Sequence, residues 1–147
     1  MAASKILVFS SVRRYEPLVK KVEKTAAGVL AAFGNKNGRI EIFLISDIKM
    51  RNLNRTFRRK DKVTNVLAFL ADGFSRPDLK GDFLGEVYLA PTYINTKKQE
   101  LSKLVIHGLV HLFGYDHIKK NDRIRMESLE EKIFEQLKKR VPYTKKN

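Results

Sequence analysis

The sequence contains no cysteine, and this absence removes two kinds of chemistry. Neither a disulfide bond nor a thiolate-bound metal site can form. No apolar run reaches the roughly 18 residues that a membrane-spanning helix needs. The first apolar run, Ile6 to Phe9, is shorter than the roughly 7–15 residues of a secretory signal, and Arg13 and Arg14 follow it closely. These absences predict a cytoplasmic protein with no membrane partner.

Length and composition predict a single folded domain over residues 1–147. Hydrophobic residues make up 43% of the 147 residues, which is enough for a core of this size. The chain has no internal repeat and no low-complexity linker. The segment after Pro142 is expected to be a frayed tail over residues 143–147.

Positive charge is the strongest feature of the composition. Thirty Lys and Arg stand against sixteen Asp and Glu, which leaves a formal net charge of +14. A surface of this kind attracts polyanions by releasing their counterions. Lysine that only maintains solubility, or a hot habitat, is the alternative explanation. The charge favours a nucleic-acid or ribosomal partner.

Hydrophobic spacing predicts a mixed α+β fold with roughly four strands and four helices. One modest sheet with helices packed on it satisfies such a pattern. The predicted strands are Ile6 to Phe9, Arg39 to Ile45, Asn65 to Leu70 and Gly85 to Ala90. The predicted helices are Glu16 to Phe33, a helix capped by Ser46 or Asp47 with Ile48, Leu53 and Phe57 inward, Thr96 to Phe113, and a last helix capped by Asp122.

All three histidines of the chain lie within one short segment. They are His107, His111 and His117, in the pattern H-x3-H-x5-H. His107 and His111 are four residues apart on the predicted helix, so their side chains stand one above the other. Gly114 ends that helix and allows His117 to fold back as a third ligand. Imidazole suits zinc, and three ligands without cysteine describe a catalytic site with an open position.

Gly108 separates this pattern from that of the zinc proteases. In those enzymes the helix reads H-E-x-x-H, and the glutamate acts as general base. Gly108 holds the place of that glutamate here. The spacing of the ligands is protease-like, but the base of the protease mechanism is absent from this position. Close helix packing is the alternative role for Gly108.

The segment from His107 to His117 closely resembles the signature of the YbeY family of endoribonucleases. Collinear segments match in the same order, and the resemblance covers most of the chain from Ile40 onward. Asn65 and Ala68 stand where the family usually has Asp and Ser. The further matching segments are Leu53 to Asp61, Val63 to Phe69, Leu84 to Ala90 and Arg125 to Glu127.

The resemblance implies a zincin-like α+β fold with the metal site at the end of a helix. It implies a zinc-dependent endoribonuclease that hydrolyses single-stranded RNA, matures the 3′ end of the small-subunit ribosomal RNA and takes part in ribosome quality control. The cofactor would be one zinc ion, with another divalent metal left open. By its motif, Arg58 corresponds to the family's arginine, which could hold a phosphate and offset charge in the transition state. A surface arginine in a basic run is the alternative, and Arg59 is the fallback.

Five further side chains are candidates for the site. Asp116 could orient a histidine as a carboxylate behind the metal ligands, or cap the turn after Gly114. Glu86 and Glu127 are weaker candidates for the same role or for the general base. Phe57 and Tyr115 could stack on unpaired bases, although a place in the core is the preferred interpretation for Phe57.

Two other functions stay open at this point. One is a metal-dependent hydrolase of another class, such as a metalloprotease. The other is a non-catalytic module that binds RNA or the ribosome and is stabilised by zinc. The sequence also leaves open whether water activated by the metal or the 2′-hydroxyl of the RNA attacks the phosphorus.

Overall fold

The computed structural model describes residues 5–34, 38–71, 83–115 and 120–140. The strands are β1 (Lys5–Ser10), β2 (Arg39–Leu44), β3 (Val66–Leu70) and β4 (Phe83–Leu89). The α-helices are α1 (Val19–Ala32), α2 (Asp47–Arg58), α3 (Pro91–Thr96), α4 (Leu101–Leu112) and α5 (Lys120–Arg140), and a 3-10 helix at Arg13–Leu18 precedes α1.

The strands form one mixed sheet in the order β1-β2-β4-β3. β2 pairs in parallel with β1 and with β4, whereas β3 pairs antiparallel with β4. The parallel pair β1 and β2 is joined through α1, as a parallel crossover requires. The predicted α+β class and the single sheet of about four strands are confirmed. Each predicted strand lies within two residues of its observed bounds.

One face of the sheet, called here the inner face, carries the main core. On β2 the residues of this face alternate with those of the other face, as the strand pattern requires. Ile40, Ile42 and Leu44 are fully buried and pack with aliphatic side chains of α1 and α4. Met126 and Ile133 of α5 join the same cluster. Helices therefore cover the inner face.

The opposite face, called here the outer face, carries aromatic side chains. Phe9, Phe43 and Tyr88 share one register position across β1, β2 and β4, and Phe69 lies on β3. Phe57 of α2 contacts Phe69 at a ring-centroid distance of 5.3 Å. These five residues are called the aromatic row. α2 packs over Leu67 of the outer face through Met50 and Leu53.

The inward side of α2 differs from the prediction. Ser46 caps the helix as predicted, since its hydroxyl oxygen accepts from the backbone N–H of Lys49 at 3.2 Å. The predicted inward positions Ile48 and Phe57 are wrong, because these side chains are 77% and 61% exposed. Met50 and Asn54 are buried in their place. A pattern based on apolar residues favours Ile48 and Phe57 as inward positions. In the structure Asn54 is buried instead, because its side-chain amide donates a hydrogen bond to the turn that follows the helix.

Three helix boundaries also differ from the prediction. The chain enters α1 through a 3-10 helix that contains Pro17, and the α-helix begins at Val19 rather than at Glu16. The predicted helix from Thr96 is interrupted, since α3 ends at Thr96 and α4 begins at Leu101. Lys98 adopts a left-handed conformation between them, with φ of 58°. Asp122 lies in the first turn of α5 rather than at its cap.

None of the helices described is both long enough and apolar enough to span a membrane.

Candidate metal centre

α4 lies unusually close to the sheet because of Gly108. A Cβ atom built at this position would lie 2.8 Å from Cγ1 of Val87 and 3.1 Å from Cγ2 of Val66. Both contacts are shorter than ordinary packing distances, so a side chain here would push the helix away from the sheet. Gly108 is buried between two histidines that are half-buried. The interpretation of Gly108 as a packing residue is therefore supported by the structure.

The same contact explains the missing glutamate of the protease pattern. Position 108 points at the sheet, towards Val66 of β3 and Val87 of β4. A carboxylate at this position would collide with Val66 and Val87 and would be buried among aliphatic side chains. A general base cannot come from this position without a different packing of α4.

His107 and His111 lie on successive turns of α4 with their rings together. The ring centroids are 4.8 Å apart, and the rings are nearly perpendicular at 87°. Nδ1 of His107 donates to Oε2 of Glu130 on α5 at 2.8 Å. Nδ1 of His111 donates to the backbone carbonyl of Tyr115 at 2.9 Å. The structure thus brings together the two histidines that the i, i+4 spacing predicts to be neighbours.

Both hydrogen bonds determine which ring nitrogen carries the lone pair. A carboxylate and a carbonyl can only accept, so the proton sits on Nδ1 of each ring and the lone pair on Nε2. Metal-binding histidines are held in this way, by a carboxylate or a backbone carbonyl behind the ring. The donor set and its hydrogen bonds therefore fit a metal such as zinc.

The end of α4 supplies the partner of His111. Gly114 has φ of 95°, and its N–H bonds to the carbonyl of His111 at 2.9 Å. A residue with a side chain rarely adopts this conformation. The chain therefore turns immediately after the helix, and the carbonyl of Tyr115 reaches the imidazole ring of His111.

The predicted third ligand and its neighbour are not among the described residues. His117 and Asp116 both fall in residues 116–119, outside the described ranges. Within the described ranges there is no group of three His, Cys, Asp or Glu side chains that could hold a metal. The role of His117 as ligand and that of Asp116 behind the ligands stay predictions.

Arg58 is the last residue of α2, at the start of a tightly fixed turn. Arg59 follows it in a left-handed conformation with φ of 59°, which ends the helix. Nδ2 of Asn54 donates to the backbone carbonyl of Lys62 at 2.9 Å, and the backbone carbonyl of Asn54 accepts from the N–H of Lys60 at 3.2 Å. Arg58 is exposed and makes no hydrogen bond or ion pair with any described residue.

An ion pair fastens the same turn from the other side. Nε and Nη2 of Arg51 donate to the two carboxylate oxygens of Asp61 at 2.8 and 3.2 Å. This hydrogen bonding lowers the pKa of Asp61 below its ordinary value and raises that of Arg51. The turn that follows Arg58 is thus held by one buried amide and one exposed ion pair.

The remaining candidates are placed less favourably, and one carboxylate was missed. Glu86 is buried on the outer face, where it accepts from the hydroxyl of Tyr88 at 2.9 Å. Glu127 is exposed, whereas Glu130, one turn further along α5, contacts His107. Phe57 is exposed rather than in the core, and Tyr115 is 37% exposed.

Nothing in the sequence alone separates Glu130 from its neighbours. Glu127, Glu130 and Glu131 all lie on the predicted last helix, and only the way that α5 crosses α4 selects one of them. Asn54 was also missed, because the inward positions predicted for α2 were Ile48, Leu53 and Phe57, and a polar residue adds nothing to a hydrophobic pattern.

Comparison with known proteins agrees with the motif pattern. The model of the family described as endoribonuclease YbeY matches residues 7–138. An endoribonuclease YbeY of Aquifex aeolicus is 34% identical over 122 residues, covering 80% of this chain and 77% of that protein. An endoribonuclease YbeY of Francisella tularensis subsp. novicida is 33% identical over 117 residues, covering 71% and 70%.

A comparison of structures also finds similar chains. A solution structure of a protein from Thermotoga maritima has a TM-score of 0.45 and 23% identity, and 92% of each chain is covered. The match to the family model extends over nearly all of the described chain, including both described histidines and Arg58. From this match and the sequence identity, the chain belongs to the endoribonuclease YbeY family, a family of RNA endonucleases.

Proposed function

We propose that this protein is a zinc-dependent endoribonuclease that cleaves single-stranded RNA. The observation that carries the proposal is the pair of imidazoles on α4, each with Nδ1 hydrogen-bonded to an acceptor, which puts the lone pair of each ring on Nε2. Membership of an endoribonuclease family supplies the reaction class.

His107, His111 and His117 would hold the ion, and no other cofactor is required. A bound zinc ion supplies a Lewis acid that polarises a phosphate oxygen and activates water at neutral pH. Glu130 holds the ring of His107 in one orientation and adds negative charge behind it, which strengthens the imidazole as a ligand. The carbonyl of Tyr115 orients His111 in the same way.

Arg58 is proposed to bind the phosphate of the RNA. Its guanidinium is exposed and is not engaged by any described carboxylate, in contrast to Arg51 and Arg55, which contact Asp61. A guanidinium binds two phosphate oxygens at once and offsets the negative charge that grows in the transition state. The left-handed Arg59 and the buried Asn54 hold the turn that follows Arg58.

Ribosomal RNA is the proposed substrate, with the ribosome as the partner. The net charge of +14 suits an RNA-rich target, because basic side chains release counterions from phosphates. Maturation of the 3′ end of the small-subunit RNA and ribosome quality control in the cytoplasm are the proposed cellular roles, and they rest on the family resemblance.

A cleavage assay tests the proposal. Purified protein is incubated with single-stranded RNA, duplex RNA and casein, with and without a chelator. We expect cleavage of the single-stranded RNA alone, its loss with the chelator and its return with added zinc. Cleaved casein with intact RNA would instead identify a metalloprotease. Bound RNA that stays intact at every zinc concentration would identify a non-catalytic binding module.

The Arg58→Ala variant separates phosphate binding from metal binding. We expect cleavage to fall about 100-fold or more, as for loss of a group that stabilises charge in a transition state, with zinc content unchanged. Lys20→Ala is the matched control, since Lys20 is an exposed cation on α1. A variant that loses zinc together with activity would show that Arg58 is structural.

A further inference from the structure

The outer face of the sheet is open over β1 and β2. Leu7 and Phe9 of β1 are 37% and 45% exposed, in contrast to Ile40, Ile42 and Leu44, the fully buried inner-face residues of β2. Phe9 lies on the edge strand, and Phe43 lies beside it on β2. Leu7 and Phe9 are two residues apart on one strand, so their exposed side chains form one continuous apolar patch on this face.

Three rings of the aromatic row, those of Phe9, Phe43 and Tyr88, are stacked face to face across the sheet. Phe9 and Phe43 are 5.1 Å apart with their planes at 20°, and Phe43 and Tyr88 are 4.7 Å apart at 13°. Each ring therefore presents its flat side to the next strand. Phe9 is the end of the stack, with Phe43 as its ring partner on one side. Another flat ring could extend the stack at the sheet edge.

At its other end, the aromatic row leads to the proposed phosphate-binding residue. Tyr88 meets Phe69 edge-on at 5.8 Å, and Phe69 meets Phe57 at 5.3 Å. Phe57 is 61% exposed and precedes Arg58 in the chain. The row therefore connects the open edge of the sheet with the end of α2, and the histidines lie on the helix behind the inner face.

The charged side chains around the outer face indicate an anionic ligand. Arg13, Arg14 and Lys49 are exposed at the end of the sheet where β1 and β2 finish. Glu41 and Glu86 lie two residues before Phe43 and Tyr88, towards the other end. A ligand with an anionic backbone would therefore place that backbone beside Arg13 and Lys49 and its planar groups against the rings of the aromatic row. A second copy of the chain is disfavoured, since each copy carries a net charge of +14.

We propose that the outer face binds unpaired bases of RNA, with Phe9 as the end ring on which a base stacks. The proposal rests on the proposed function, because it assigns the single-stranded substrate a second contact surface beyond the metal centre. Aromatic rings on a sheet are a general solution for single-stranded nucleic acid, since every base has a π-face. Duplex RNA has no unstacked base to offer and would not use this surface.

The absence of tryptophan from the chain allows a direct test. In the Phe9→Trp variant, the new side chain is the only tryptophan. Binding of oligo-uridine RNA in the presence of a chelator, which prevents cleavage, is expected to quench its emission, because a stacked base contacts the indole. Duplex RNA is expected to leave the emission unchanged. Equal quenching by both RNAs, or no quenching during binding, would overturn the proposal.

A second measurement does not depend on the tryptophan variant. Phe9→Leu keeps an apolar side chain but loses the flat ring, so oligo-uridine binding by fluorescence anisotropy is expected to weaken about five- to one-hundred-fold. Phe9→Tyr is expected to bind like the parent protein. Ile124→Ala is the control, since Ile124 is an exposed apolar side chain of α5, on the other side of the sheet, and it is expected to stay within about two-fold. Equal affinity of Phe9→Leu and the parent would refute the proposal.

Two outcomes separate this proposal from the proposed function. If the parent protein cleaves single-stranded RNA and Phe9→Leu binds it normally, the surface is wrong and the activity stands. If quenching occurs but no zinc condition yields cleavage, the surface stands and the activity is wrong. A tryptophan emission that shifts to the blue with protein concentration, without RNA, would assign the face to a second copy and overturn the proposal.

Discussion

The two faces of the sheet are built from different side chains and differ in exposure. The inner face is aliphatic and is buried over β2 and β4, and α4 lies so close to it that a Cβ atom at position 108 would be 2.8 Å from Cγ1 of Val87. The outer face is aromatic and partly exposed over β1 and β2. The comparison indicates that the covered face fixes the position of the histidines, whereas the open face is available for contact with a substrate.

The largest difference between the faces is expected in stability. Ile42→Ala empties a fully buried site on the inner face and is expected to lower the free energy of unfolding by about 2–5 kcal/mol. Leu7→Ala on the outer face removes a side chain of similar size and is expected to change it by less than about 1 kcal/mol. Urea unfolding of both variants measures the difference. Similar losses would show that the outer face is covered.

The second prediction concerns the carboxylate behind His107. Glu130→Gln keeps the shape of the side chain but removes its charge, so zinc affinity is expected to fall about 10–100-fold. Competition with a chromogenic chelator gives the affinity. Glu131→Gln is the control, since Glu131 is exposed and adjacent in the chain. Unchanged affinity in Glu130→Gln would remove Glu130 from the metal centre.

The third prediction tests the close approach of α4 to the inner face. Gly108→Ala places a methyl group against Val87, and overpacking of this kind typically destabilises by about 1–3 kcal/mol. Alanine regains up to about 1 kcal/mol of helix propensity, so a modest net loss is expected. The double variant with Val87→Ala should recover part of that loss, which a double-mutant cycle measures. Strictly additive effects would contradict the contact.

The smallest effect is expected away from both faces, at the exposed pair of Arg51 and Asp61. Because the hydrogen bond from Arg51 lowers the pKa of Asp61 in the folded protein, the pair stabilises the fold above the ordinary aspartate pKa. That contribution is lost as the pH falls through the lowered value. Both side chains are more than half exposed, so Asp61→Asn should flatten the acid limb of stability only slightly. Thermal unfolding across acid pH measures this, and a large change would mean that the turn depends on the pair.

The sequence predicts which residues lie on each face of the sheet where a single strand shows the alternation of apolar and other side chains. β2 alternates strictly, so Ile40, Ile42 and Leu44 could be assigned to one side and Phe43 to the other. α2 could not be read in the same way. Its buried side includes Asn54, whose amide holds the turn after Arg58, and a hydrophobic pattern gives no weight to a buried hydrogen bond.

In the candidate site too, contacts within one helix could be predicted from the sequence, whereas contacts between elements could not. The neighbouring histidines follow from a spacing of four residues on one helix, which is local information. Glu130 comes from another helix, and three glutamates on α5 are equivalent until the crossing of α4 and α5 is known. The aromatic row depends on the strand order β1-β2-β4-β3, which the sequence does not contain.

The two described histidines are oriented by partners of different kinds. His107 depends on a carboxylate that a single base change can remove, whereas His111 depends on a main-chain oxygen that every residue possesses. Substitution at position 115 cannot delete that oxygen, and only a change in the route of the chain, such as loss of the glycine turn at Gly114, can move it. The orientation of His107 is therefore sensitive to replacement of a side chain, whereas that of His111 is sensitive to the path of the backbone. Tolerance to mutation should differ sharply between position 130 and position 115.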